Sequence, residues 1–158
     1  MTTPPFTPDQ SQQGFTLVEL LITIGVLSIL LGVAAMTLLP WLRAQQVRTD
    51  ISELAADFNL YRTKTLSEGQ VYRITLSTDR YVVERQLTKT TWATAETYVF
   101  RRARLNLSSV ATQYVFLTTG ILEAAQNNVM SSNTTVVGSD GKTSVALRVT
   151  ALGFTRIL

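Results

Sequence analysis

The sequence predicts an α+β protein in which a long N-terminal α-helix packs on a C-terminal antiparallel β-sheet domain. Three observations carry this expectation. Charge is nearly absent from one end: of 14 basic and 11 acidic side chains, only Asp9 and Glu19 fall in the first 42 residues. Apolar residues then recur every three or four positions, as on one face of a helix, from Val47 to Tyr61. After Gln70 the period drops to two, the period of a half-buried strand.

The length of 158 residues allows one domain of ordinary size with a real core. There is no cysteine and no histidine. That excludes a disulfide scaffold, a cysteine–histidine zinc site, an iron–sulfur cluster and any triad with an imidazole base. The net charge of +3 is modest and fixes no partner by itself.

The first element is the apolar run. From Leu20 to Leu42 the chain passes 23 residues without a charge, a helix of roughly 34 Å, enough to cross a hydrocarbon core. A secretory signal peptide needs a basic front, a shorter apolar core and a small-residue cleavage site, whereas no Lys or Arg precedes Arg43. A plain membrane anchor fits the length but gives no reason for Glu19, because a carboxylate inside an apolar helix costs about 2.5 kcal/mol or more unless paired. A cut after Gly14 would supply a partner. Phe15 would then present a cationic amine one helical turn from Glu19, and the pair would be strong in a low-dielectric setting.

The residues Gln13-Gly14-Phe15-Thr16-Leu17-Val18-Glu19-Leu20-Leu21 resemble the prepilin cleavage and methylation motif of type IV pilins and type II secretion pseudopilins. The resemblance implies a membrane-embedded prepilin peptidase that cuts after Gly14 and methylates the amine of Phe15. It implies Glu19 as the filament-assembly residue. Methylation keeps the positive charge, so the pairing argument survives it. Family leaders usually carry a Lys or Arg near the cut. The leader Met1 to Gly14 has neither and contains Pro4, Pro5 and Pro8. By charge count alone, Arg43 and Arg48 beyond the span favour the opposite orientation.

Next comes the amphipathic half of the helix. Val47, Ile51, Leu54, Ala55, Phe58 and Tyr61 form its stripe, with Arg48, Asp50, Glu53 and Arg62 expected mainly off it. One helix is expected from about Phe15 to Leu66, closed at Glu68-Gly69. Pro40 either introduces a tolerated kink or marks a place where the helix bends on leaving the bilayer.

The remaining elements are strands. Val71–Leu76, a turn at Ser77–Arg80 and Tyr81–Leu87 read as a hairpin. Thr91–Arg101, Gln113–Leu117, Ser144–Thr150 and Phe154–Leu158 read as further strands, and the 24 threonines suit exposed sheet faces. Gln126 to Ser144, rich in Asn, Ser, Thr and Gly, reads as loop or weak hairpin. The helix running into the Val71 hairpin, Tyr114–Gly120 and Leu147–Arg156 are similar to the H-type pseudopilin and FimT/FimU-like minor pilin group. The organisation expected is residues 1–14 as leader, 15–42 as transmembrane and assembly helix, 43–66 as its amphipathic continuation and 67–158 as a β-rich head.

Enzyme signatures fail. Gly138-Ser139-Asp140-Gly141-Lys142-Thr143 lacks Walker spacing, since position 136 is valine. Asp140 alone supplies too few hard ligands for calcium, so neither metal nor cofactor is expected, and no catalytic residue is assigned. Residues 43–158 hold 14 basic and 9 acidic groups. Arg101, Arg102, Arg104, Arg148 and Arg156 are the candidates for DNA contact, or else charges that protect strand edges. The resemblance implies a minor pilin or pseudopilin in the cytoplasmic membrane, its C-terminal domain outside the cytoplasm, later taken into a pilus or pseudopilus. Its partners would be prepilin peptidase, other pilins or pseudopilins, an inner-membrane assembly platform and membrane lipid before assembly. DNA is the alternative partner, as in minor pilins of natural transformation.

Overall fold

The computed structural model describes residues 15–108, 110–124, 128–129 and 133–158. The expected leader, including Gly14, lies outside the described residues, as does part of the Gln126–Ser144 stretch. The chain divides at Pro40 into two compact units, Met1–Pro40 and Trp41–Leu158.

One helix, α1, runs from Leu17 to Glu68 without a break at Pro40. The Thr16 hydroxyl accepts the Glu19 N–H at 3.2 Å, the bond of an N-cap residue. At the other end Gly69 adopts a φ of 65°, and its N–H reaches Thr65 O at 3.1 Å. That left-handed step ends the helix where glycine tolerates it.

In the first unit every described side chain is exposed, from Phe15 onward. Three of its hydroxyls look inward to the backbone. The hydroxyls of Thr23, Ser28 and Thr37 donate to Leu20 O, Ile24 O and Ala34 O at 2.8–3.1 Å, so they ask nothing of the surroundings.

The second unit is the packed one. Ten strands follow α1: β1 Tyr72–Leu76, β2 Arg80–Gln86, β3 Trp92–Val99, β4 Arg104–Asn106, β5 Gln113–Phe116, β6 Leu122–Ala124, β7 Asn128–Val129, β8 Thr134–Ser139, β9 Ser144–Val149 and β10 Thr155–Ile157. They form two antiparallel sheets, ordered β3-β2-β1-β5-β6-β7 and β10-β9-β8-β4. Val47, Ile51, Leu54, Phe58 and Tyr61 of α1 share one core with Ile74, Val83, Tyr114 and Phe116 of the first sheet. Leu105, Val136, Leu147 and Val149 of the second complete it. Phe58 stands at its centre, edge-on to Tyr114 at 5.2 Å and Phe116 at 5.6 Å.

The strand expected at Val71–Leu76, its return, and the Thr91, Gln113, Ser144 and Phe154 segments are all present within a residue or two. Two expectations are refined and a third, for Asp50, needs correction. The antiparallel sheet domain consists of two sheets, and of the two readings of Gln126–Ser144, loop or weak hairpin, the loop fails: the stretch contains β8, which forms a hairpin with β9 and joins it to β4. Its polar composition hid it because only Val136 and Gly138 face inward. Asp50, expected off the apolar stripe, is fully buried on it.

Candidate functional site

At the start of α1, Phe15 is 80% exposed and Glu19 is exposed among apolar neighbours. Thr16-Leu17-Val18-Glu19 has the spacing of a capping box, with Thr16 as cap and Glu19 three residues in. Glu19 is also the acidic group of the first turn, where the helix dipole favours a negative charge.

The second place with chemistry is Phe100–Arg104. Buried Asp50 holds it by accepting three backbone N–H groups. Arg101 N bonds Oδ1 at 3.2 Å, and Arg102 N and Ala103 N bond Oδ2 at 2.8 Å each. A buried carboxylate satisfied this way needs no cation, so the guanidinium groups of this segment are free to point away from the core. Arg101 and Arg104 are exposed. Arg102 instead pairs with Asp140, its Nε 3.1 Å from Oδ2. Asp140 caps the β8–β9 turn by accepting the N–H groups of Thr143 at 2.8 Å and Lys142 at 3.0 Å. Those two backbone donors, then the Arg102 guanidinium, push its carboxyl down to about 2. Gly141 turns the chain there at a φ of 87°. Arg101, Arg102, Arg104, Ser139, Asp140 and Gly141 line an open hollow of 360 Å³.

Gly138 explains how β8 can lie so close to the helix. A methyl there would sit 2.9 Å from Ile51 Cγ1 and closer still to Cδ1. The residue is buried, and any side chain must move that of Ile51.

Arg148 and Arg156 lie elsewhere, directly opposite one another on β9 and β10, and both are exposed. The five arginines therefore form two groups rather than one patch. Among the described residues no cluster of three His, Cys, Asp or Glu side chains has metal-binding spacing. Sequence reasoning missed Asp50, whose signal was available: a charge at the helix position between Val47 and Ile51. It also gave no role to Trp41, Lys142, or the hollow of 180 Å³ that Trp41, Ala44, Gln45, Arg48, Thr143 and Val145 line.

Residues 9–35 match a family model described as the prokaryotic N-terminal methylation motif. No curated protein matches the chain. Among solved structures it is similar to the minor pseudopilin EpsH from the Type 2 Secretion System of Vibrio cholerae. The identity is 12% and the TM-score 0.54, over 72% of this chain and 96% of that one. The chain thus joins a prokaryotic N-terminal methylation motif to the pseudopilin fold.

Proposed function

We propose that this chain is a prepilin-like structural subunit, a minor pilin or pseudopilin of a type IV pilus or type II secretion pseudopilus. Prepilin peptidase cuts it after Gly14 and methylates Phe15. The subunit waits in the cytoplasmic membrane as a single-pass protein with its head outside the cytoplasm. An inner-membrane assembly platform then passes it to a filament of like subunits. The observation that carries this reading is the exposed apolar length of α1 beyond Glu19, none of which is buried within its own chain, on a protein with the pseudopilin fold.

Glu19 sets register in this account. A neighbour placed one step off would leave the carboxylate unpaired among apolar helices, a situation that is strongly destabilising. Glu19→Ala is expected to insert in the membrane as the parent does and to be depleted from sheared filaments. Full incorporation would sink the register role. Mass spectrometry of the mature chain is expected to find methylated Phe15 at the N-terminus, and any other terminus contradicts the processing step.

A second reading, DNA binding during uptake, draws support from Arg148 and Arg156. Like charges set directly opposite on neighbouring strands repel, and a phosphate between them would relieve that. The Arg102–Asp140 pair weighs the other way, since it removes one arginine from the cationic set. The test is duplex binding across a salt series by the full chain in neutral nanodiscs. Affinity unchanged by Arg148→Gln/Arg156→Gln removes this pair from the reading, and absence of salt-dependent binding removes the reading itself.

A further inference from the structure

Asp50 fixes Phe100–Arg104 at a definite height on α1, two residues beyond Arg48, or about 3 Å of helix rise. The β8–β9 turn reaches the same level. Its Ser139, Asp140 and Gly141 line the arginine hollow, and Thr143 and Val145 line the hollow with Trp41 and Arg48. Two residues of α1, two from the Asp50-held segment and one from the turn therefore bring exposed charges to the start of the head: Arg43, Arg48, Arg101, Arg104 and Lys142, while Arg102 is taken by Asp140. Arg43 and Arg48 are five residues apart on a helix, so they point to different sides and extend the set around it. Three acidic groups near this level already have partners. Asp50 is buried against backbone N–H groups and Asp140 caps its turn. Asp79, whose carbonyl accepts Phe100 N–H, has its carboxylate 3.4 Å from Arg80.

The covalent chain places this collar. Trp41 and Arg43 directly join and follow the end of the charge-free run at Leu42. A Trp followed by Arg at the end of an apolar span marks the membrane interface, where indole sits at headgroup level and long basic side chains reach phosphates.

We propose that this collar is a docking surface for anionic phospholipid headgroups, which holds the head on the outer face of the bilayer before the subunit enters a filament. The inference rests on the reading that Leu20–Leu42 spans the membrane. Lipid phosphates fit better than nucleic acid because two of the basic groups, Arg43 and Arg48, directly follow the span in the chain. It also gives Arg43 and Arg48 a purpose that does not require the opposite orientation. Each basic group near an anionic surface multiplies the docked population about five-fold.

The test uses the full chain in nanodiscs of phosphatidylcholine alone or mixed with phosphatidylglycerol. The protein lacks cysteine, so Ser144→Cys, at an exposed site beside the turn, takes one fluorophore. Nitroxide-headgroup lipids then report its approach. Quenching is expected to be several-fold stronger in anionic discs, to fall with salt, and to be lost in Arg101→Gln/Arg104→Gln/Lys142→Gln. Those side chains are exposed, and the Arg101 bond to Asp50 uses its backbone N–H, which glutamine keeps. Arg148→Gln/Arg156→Gln is expected to leave quenching unchanged. Equal quenching in both discs, or quenching that survives the triple change, overturns the proposal. Short duplex DNA bound through the same three residues, without lipid-dependent quenching, reassigns the collar to nucleic acid. Carbonate extraction separates the two failures: protein released by carbonate overturns the membrane reading and the docking with it, whereas protein retained without lipid-dependent quenching overturns docking alone.

Discussion

Phe15 to Pro40 and Trp41 to Glu68 belong mostly to one helix, yet they satisfy their apolar side chains in opposite ways. The later segment keeps its apolar residues on one stripe, and the two sheets cover that stripe completely at Val47, Ile51, Leu54 and Phe58. The earlier segment is apolar all round and exposed all round, with Leu31 at 68% and Met36 at 79%. A water-soluble monomer rarely shows a contiguous apolar surface of this extent. The contrast teaches that the later segment finds its cover within its own chain, whereas the earlier one finds none among the described residues; under the proposed function, lipid or other helices supply it.

The largest expected effects separate the two halves. Phe58→Ala removes the ring between Tyr114 and Phe116 and is expected to cost the head about 3–5 kcal/mol in chemical denaturation. Membrane retention of any folded protein should be unchanged. Leu30→Arg should do the reverse, costing about 2.5–3.5 kcal/mol of insertion while the head unfolds at the parental midpoint. A head destabilised equally by both substitutions would end the division.

Asp50→Ala comes next. It strips the partner from three backbone N–H groups at once, and buried orphan donors cost about 1–3 kcal/mol each. A loss of about 3 kcal/mol in denaturation is expected, with Asp50→Asn milder because its amide oxygen still accepts. If Asp50→Ala denatures like the parent, water reaches the 101–103 segment and Asp50 is no clamp. Gly138→Ala follows at about 1–3 kcal/mol, the range for overpacking a filled core. Shortening the opposing side chain in Gly138→Ala/Ile51→Val should recover part of that loss, and no recovery would locate the strain elsewhere.

The legible parts of this molecule were those where one rule acted alone. The span is readable from absence of charge, and Val47–Tyr61 from periodicity. The β1–β2 hairpin is readable from alternation around a turn. The same period gave β9, whose Leu147 and Val149 are buried. Where rules competed the sequence misled. β8 read as loop or weak hairpin because threonine, serine and glycine are the residues of turns, and only the tertiary partner at Ile51 explains Gly138. Asp50 looked like a surface charge, because the backbone donors that satisfy it come from a segment about fifty residues away and leave no local trace. The arginines were visible individually. Their division into two groups depended on strand pairing, which single-strand patterns do not encode.

The smallest effect is a pH dependence confined to the head. Asp57 accepts the Tyr81 hydroxyl at 2.7 Å. Burial raises its carboxyl above the usual 3.8, the Tyr81 bond opposes that, the Glu96 charge adds to it and Lys64 lowers it. A group whose folded value lies above its unfolded value favours the folded state at pH below the unfolded value, and that contribution is lost as pH rises through the folded value. The parent head should therefore lose a little stability from about pH 4 upward as Asp57 ionises. Asp57→Asn keeps an acceptor for Tyr81 and cannot ionise, so its profile over the same window should be flatter. The measurement is the denaturation midpoint of both proteins across that range in the same neutral nanodiscs. Parallel profiles would mean that Asp57 is charged at no net cost. The head would then tolerate an ionised group on its helix without a cation in direct contact.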